Sequence, residues 1–155
     1  MIPLIRSLLA RLESVPLSFN GLICRLAIAG VFWRSGQTKV HGFFVINDST
    51  YDLFRDEYKL PLLPPEVAAV MGTVAEHLFS ALLVIGLASR FSAAGLFVMT
   101  LTIEIFVYPE SWPDHLMWSA AMLFVILRGP GTLSLDHLIR KSVIPAKAGI
   151  QGNQH

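Results

Sequence analysis

The segment LSFNGLICRLAIAGVFWRSGQTKVH, Leu17 to His41, decides the fold. It is apolar over the roughly 20 residues that a bilayer core requires, yet it carries Arg25, Arg34 and Lys39. At about 100° per residue, Arg25, Ala29, Phe32, Gly36 and Lys39 fall in one stripe, and Arg34 lies opposite Arg25. A charge deep in hydrocarbon costs several kcal/mol, so the stripe must face protein or a wet cavity rather than lipid. The small residues Gly21, Ala27, Ala29 and Gly30 permit close helix approach.

The rest of the chain agrees. Of 155 residues, 54% are hydrophobic and 15% charged, and the mean hydropathy is +0.59. That balance is an integral membrane protein's, of a size for one small domain. A single cysteine, Cys24, excludes an intramolecular disulfide, a CxxC redox pair and a cysteine-built metal site. Any redox role therefore needs a borrowed cofactor. The basic N-terminus runs on into the apolar segment without a small-residue cleavage site, which predicts that it is retained.

Punctuation divides the chain into four spans, at about 18–37, 66–88, 91–108 and 113–128, within one domain over 1–141. Met1–Pro16 is an amphipathic lead expected to lie on the membrane surface. In the first loop, Ser49 or Thr50 can cap a short interfacial helix carrying Leu53, Phe54 and Tyr58 on one face, ended by Pro61, Pro64 and Pro65. Pro65 suits the first turn of the second span. The fourth apolar run, Leu116–Leu127, is too short alone, so Pro113, Asp114 and His115 must extend it, with the two polar residues facing protein. Leu133–Ile139 forms one more surface turn, and residues 142–155 are expected to be disordered.

Loop charges set the orientation. Arg6, Arg11, Arg90, Arg128, Arg140, Lys141 and Lys147 fall on one side, while Lys39, Arg55 and Lys59 on the other are diluted by acids. The positive-inside rule places both termini in the cytoplasm. The expected fold is thus all-α: an integral membrane four-helix bundle with an interfacial helix in its first outer loop.

Depth then sorts the polar residues. Glu76 and Glu104 are the carboxylates that could meet Arg25, Arg34 and Lys39 in a common interior, since paired charges cost less than lone ones. Arg25 with Glu76 reads either as a structural pair fixing helix register or as part of a ligand site. Lys39, near a helix end, is read as snorkelling to headgroups rather than binding, and Arg34 likewise. His77 stands about 100° around from Glu76 and need not share its pocket. Trp112, Trp118 and Tyr108 fit an aromatic belt, although Trp118, one turn from Asp114 and His115, could stack on a ring ligand. No metal site is expected, because a carboxylate-bundle centre needs Glu-x-x-His on two helices. Nor is there a nucleophile setting, a phosphate loop or a nucleic-acid patch.

Four motifs together carry a family resemblance: Arg25-x6-Phe32-x3-Gly36-x2-Lys39, the loop LFRDEYKLPLLPPE from Leu53 to Glu66, the Glu76-centred second helix, and Arg128-Gly129-Pro130-Gly131 followed by Leu133-Ser134-Leu135-Asp136. Over about Gly21–Leu138 the chain resembles the DoxX family of small four-helix membrane proteins. The resemblance implies a bacterial cytoplasmic (inner) membrane location and, for some relatives, a link to quinone-dependent oxidation alongside partner oxidoreductase subunits. The ligand-binding candidates are then Arg25, Lys39, Glu76, Glu104, His115 and Trp118, with quinone as the cofactor and a homo-oligomer as a further partner. The alternative is a non-enzymatic protein that binds a small anion or lipid headgroup, or scaffolds a partner, through the same cluster.

Overall fold

A computed structural model describes residues 2–42 and 44–143. Helix α1 (Ile2–Glu13) is followed, after a break at Ser14–Pro16, by α2 (Leu17–Thr38), and the pair is bent by 64°. A two-residue hairpin comes next, β1 (Val40–His41) paired antiparallel with β2 (Val45–Ile46). Helix α3 (Asp48–Asp52) runs into a wider π-helical turn at Leu53–Tyr58. The long helices α4 (Pro65–Ile85), α5 (Ser89–Phe106) and α6 (Trp112–Arg128) follow, then α7 (Leu135–Val143).

Helices α2, α4, α5 and α6 begin and end within three residues of the four ranges read from the sequence. Two of the four long helices, α4 and α5, are long and apolar enough by themselves to cross a membrane, and a third span is made if α1 and α2 are taken as one bent unit. Helix α6 has 17 residues, about 26 Å at 1.5 Å per residue, somewhat under the roughly 30 Å of a hydrocarbon core.

Each long helix packs on two others: α2 on α4 and α6, and α5 on α4 and α6. Their shared core is Ile28, Ala29, Phe32, Leu83, Ala93, Leu96, Met122 and Val125. The outward faces stay apolar, with Val67, Val70, Met71, Val74 and Leu78 along α4 and Val98, Leu101 and Ile105 along α5. An apolar exterior of that extent suits lipid rather than water.

Three local expectations need correction. The short loop helix begins after Asn47, not at Ser49 or Thr50; Thr50 instead buries its hydroxyl, which donates to the Lys39 carbonyl at 2.9 Å. The hairpin departs from an all-α reading, because Val40–Ile46 folds back on itself to carry the chain over the end of α2. Ser142 and Val143 complete α7 instead of opening a disordered tail, whose other residues, 144–155, lie outside the described ones.

Opposite ends of the molecule have different character. The loop end carries the hairpin, α3 and the π-helical turn. The basic end carries Ser18, the Gly86–Ala88 turn and the Arg128–Thr132 segment. Gly86 and Ala88 both adopt left-handed backbone, which reverses the chain within three residues, and Asp136 Oδ1 and Oδ2 accept from the Ala88 and Ser89 amides at 2.7 and 2.9 Å. That carboxylate caps α5, whose first-turn amides have no helical partner.

Candidate functional site

Helix α2 delivers Ser35 and Lys39 to one flank of α4, where Glu76 waits about midway along. The Lys39 ammonium donates to Glu76 Oε1 at 2.9 Å and to Ser35 Oγ at 2.9 Å, and the Ser35 hydroxyl donates to the same Glu76 oxygen at 2.9 Å. A third Lys39 hydrogen reaches the Ser35 carbonyl at 3.4 Å. Lys39 is 5% and Glu76 4% exposed, so the pair is a buried one. Lys39 therefore does not snorkel. Thr50 and Asn47 bind its carbonyl and fold the first loop over it, which removes the route to headgroups.

Glu76 Oε2 is buried and has no hydrogen-bond partner among the described residues. A buried polar oxygen without a donor costs free energy, so Oε2 calls for an explanation. Glu76 and Lys39 line a cavity of about 180 Å³ whose other walls are almost wholly apolar: Phe54, Tyr58, Leu60, Leu63, Ala68, Met71, Gly72, Ala75, Met99, Thr102 and Ile103. The π-helical turn roofs it. Phe54 and Tyr58 pack there tilted at 45° with centroids 4.6 Å apart, and Gly72 lets the Phe54 ring approach α4, since a Cβ at that position would lie 3.1 Å from the ring. Tyr58 meets Tyr108 edge-on at 5.8 Å, and the Tyr108 hydroxyl donates to Glu57. Burial, with the Glu76 and Glu57 charges nearby, pushes the Tyr58 phenol up to about 12. Tyr108 is raised too, first by burial and then by its bond to Glu57.

Arg25 lies elsewhere. It is 1% exposed and sits at the basic end, where Nη1 donates to the Leu83 carbonyl at 3.1 Å and Nη2 to the Leu133 carbonyl at 2.5 Å. Leu83 is in the last turn of α4, whose carbonyls have no helical partner. The expected Arg25–Glu76 pair is thus not the one formed. Fourteen residues separate Arg25 from Lys39, about 21 Å along a helix, and Glu76 sits at the Lys39 end.

Glu104 and His115 make a third, separate group. His115 Nδ1 lies 2.5 Å from Glu104 Oε2, and its ring is 5.1 Å from that of Trp118. Trp118 in turn meets Phe32 at 6.0 Å and packs against the core, whereas Trp112 is exposed as a belt residue would be. Asp114 is exposed and does not face protein as expected. The single interior cluster read from the sequence is therefore three clusters.

His77, although next to Glu76 in sequence, faces away from it. Its Nδ1 is 2.8 Å from the Thr73 carbonyl, which can only accept, so Nδ1 carries the proton and Nε2 accepts from Gln37 at 3.1 Å. Trp33 and Phe44 close on the ring edge-on. Gly36 is what admits the ring, since a Cβ there would lie 2.7 Å from His77 Cε1. Neither Ser35 nor Gln37 was singled out from the sequence. Their signal was available: each lies within four residues of Lys39, on a helix already known to carry charge.

Residues 21–109 match the DoxX family model. The chain belongs to the DoxX family. A Haemophilus influenzae protein described only as uncharacterized is 26% identical over 151 residues, covering 91% of this chain and 96% of that one. No solved structure gives a significant match. The matched region of this DoxX protein spans Arg25, Lys39, Glu76 and Glu104, and ends before His115 and Trp118.

Proposed function

We propose that this DoxX protein is a component of a bacterial inner-membrane redox system that binds a hydroquinone-type ring beside Glu76. In this reading all four long helices span the bilayer and both termini are cytoplasmic. The observation that carries it is the unpartnered Glu76 Oε2 on a carboxylate lining an apolar cavity. All three Lys39 hydrogens are already directed at Glu76 and Ser35, so a ligand at Oε2 is one that donates a hydrogen bond. A ring hydroxyl satisfies it; a bare carbonyl does not.

Size agrees. At about 180 Å³ the cavity is smaller than the roughly 300–1,000 Å³ of pockets for drug-sized ligands. It holds one ring head and leaves any apolar tail outside. Met71 and Leu63, both exposed, flank the cavity at the α4 surface and offer a path from the lipid side. Bound there, a hydroquinone would supply two electrons to a partner oxidoreductase and release two protons, one to Glu76 and one to solvent at the cavity mouth. Glu76, which lines the cavity beside Lys39, is placed to take one of those protons.

The test is extraction of bound lipophilic compounds from the purified protein, followed by titration with a short-chain hydroquinone and its oxidised form. The reading expects the reduced form to bind more tightly and Glu76→Gln to weaken that preference. Absence of binding by both forms would end it.

A further inference from the structure

We infer that the basic end carries a second site, for a phosphate anion, at the level of the lipid headgroups. A cavity of about 610 Å³ opens there, lined by Ser18, Arg90, Arg128, Thr132, His137 and Arg140 among others. The three arginines come from three separate segments: the first turn of α5, the last residue of α6, and α7. None of them has an ion-pair or hydrogen-bond partner among the described residues.

The one acid lining the cavity is Asp136, and both its oxygens accept from the Ala88 and Ser89 amides. Asp136 keeps its charge at the cavity wall but forms no ion pair with the three guanidinium groups among the described residues, so positive charge is in excess there. Positive residues at this end also serve the positive-inside rule, but that rule asks only for charge in the loops. It does not ask that the charges converge on one cavity.

The segment that joins them is built for close approach. Gly129 has φ +87°, and a Cβ there would lie 3.3 Å from Arg90 Nη2. Gly131 has φ +85°, and a Cβ there would lie 2.6 Å from the Ser18 carbonyl oxygen. Both glycines let the chain wrap tightly, which brings the residue after Arg128 against the Arg90 guanidinium. Guanidinium forks bind phosphate oxygens two at a time, and several of them around one anion share its charge.

A lipid headgroup is the source that the surroundings favour. Phe91, Leu135, Leu138 and Ile139 are all exposed around this end, so the cavity sits where an apolar surface meets a basic one. That is the composition of a helix lying in the headgroup plane.

The test uses the full chain in detergent and follows its unfolding midpoint during two titrations. One adds phosphatidylglycerol against a phosphatidylcholine control; the other adds inorganic phosphate against chloride at constant ionic strength. A rise of several degrees with phosphatidylglycerol alone supports a headgroup site, and a rise with inorganic phosphate as well supports a site that free phosphate also fills. In either case the rise must vanish in R90Q/R128Q and persist in R6Q/R11Q, which removes charge outside the cavity. The R90K/R128K variant keeps the charge and the topology signal, and should need about tenfold more of the anion because lysine lacks the fork. No rise in either titration, or an equal loss in R6Q/R11Q, would overturn the site.

Discussion

Lys39 Nζ and Glu76 Oε1 lie 2.9 Å apart, 37 residues distant in sequence, with both side chains almost wholly buried. Such a pair stabilises little relative to a well-packed apolar pair, yet breaking it leaves one buried charge alone. Lys39→Ala is therefore expected to cost about 3–5 kcal/mol, measured by denaturant unfolding in mild detergent. The double variant Lys39→Met with Glu76→Leu should come close to the parent in stability. It should also lose all preference for a hydroquinone, which separates the structural role of the pair from its binding role.

Arg25 makes the opposite case. Its two bonds go to backbone carbonyls in the last turn of α4 and in the segment before α7, so it ties three parts of the basic end together. Hydrogen bonds from a charged donor contribute about 1.5–3 kcal/mol each, so Arg25→Ala should cost at least about 2 kcal/mol. Arg34→Ala, at an exposed position, should stay within about 0.5 kcal/mol. Arg25→Ala and Glu76→Gln should add to within about 0.5 kcal/mol, since the residues share no partner. A large coupling energy would restore the pairing that the structure does not show.

That pairing shows where the sequence stopped being legible. Apolar runs and the Gly and Pro punctuation placed the long helices, because length and periodicity are local properties. Periodicity also put Arg25 and Lys39 in one stripe, and both are buried. A face is not a depth, however, and the choice of which cation meets Glu76 depends on how far α2 and α4 are offset. That offset depends on close approaches such as Gly36 on His77, which no single-helix pattern contains. The burial of Lys39 was hidden for a related reason: it depends on the hairpin and Thr50 folding back over the helix end.

Alkaline pH gives a readout of the cavity roof. The Tyr58 phenol is pushed up to about 12 by burial and by the charges of Glu76 and Glu57. The unfolded chain loses that proton near the ordinary value of about 10. Between the two values the folded state binds more protons than the unfolded one, so stability falls as pH rises. The contribution is whole below about pH 10 and is lost through about pH 12. Unfolding midpoints at about pH 9 and about pH 11 should differ less in Tyr58→Phe than in the parent. Tyr108 is shifted the same way, so Tyr58→Phe with Tyr108→Phe should flatten the dependence further.

Gly36 and His77 form a lock whose two halves can be exchanged. A methyl group at Gly36 would meet the His77 ring at 2.7–3.1 Å, closer than side-chain carbons pack. Moving the ring would break contacts on every side, because Thr73 and Gln37 bond its two nitrogens and Trp33 and Phe44 close on it. Gly36→Ala should thus cost about 1–3 kcal/mol, the usual penalty of overpacking, despite alanine's better helix propensity. His77→Ala removes the obstacle but leaves the Thr73 and Gln37 groups to find other partners. Combined, the two substitutions should cost less than the sum of the singles, and the missing energy measures the clash itself. Strict additivity in thermal unfolding would mean that α2 and α4 do not approach at this point, and the offset that selects Lys39 as the partner of Glu76 would have to come from somewhere else.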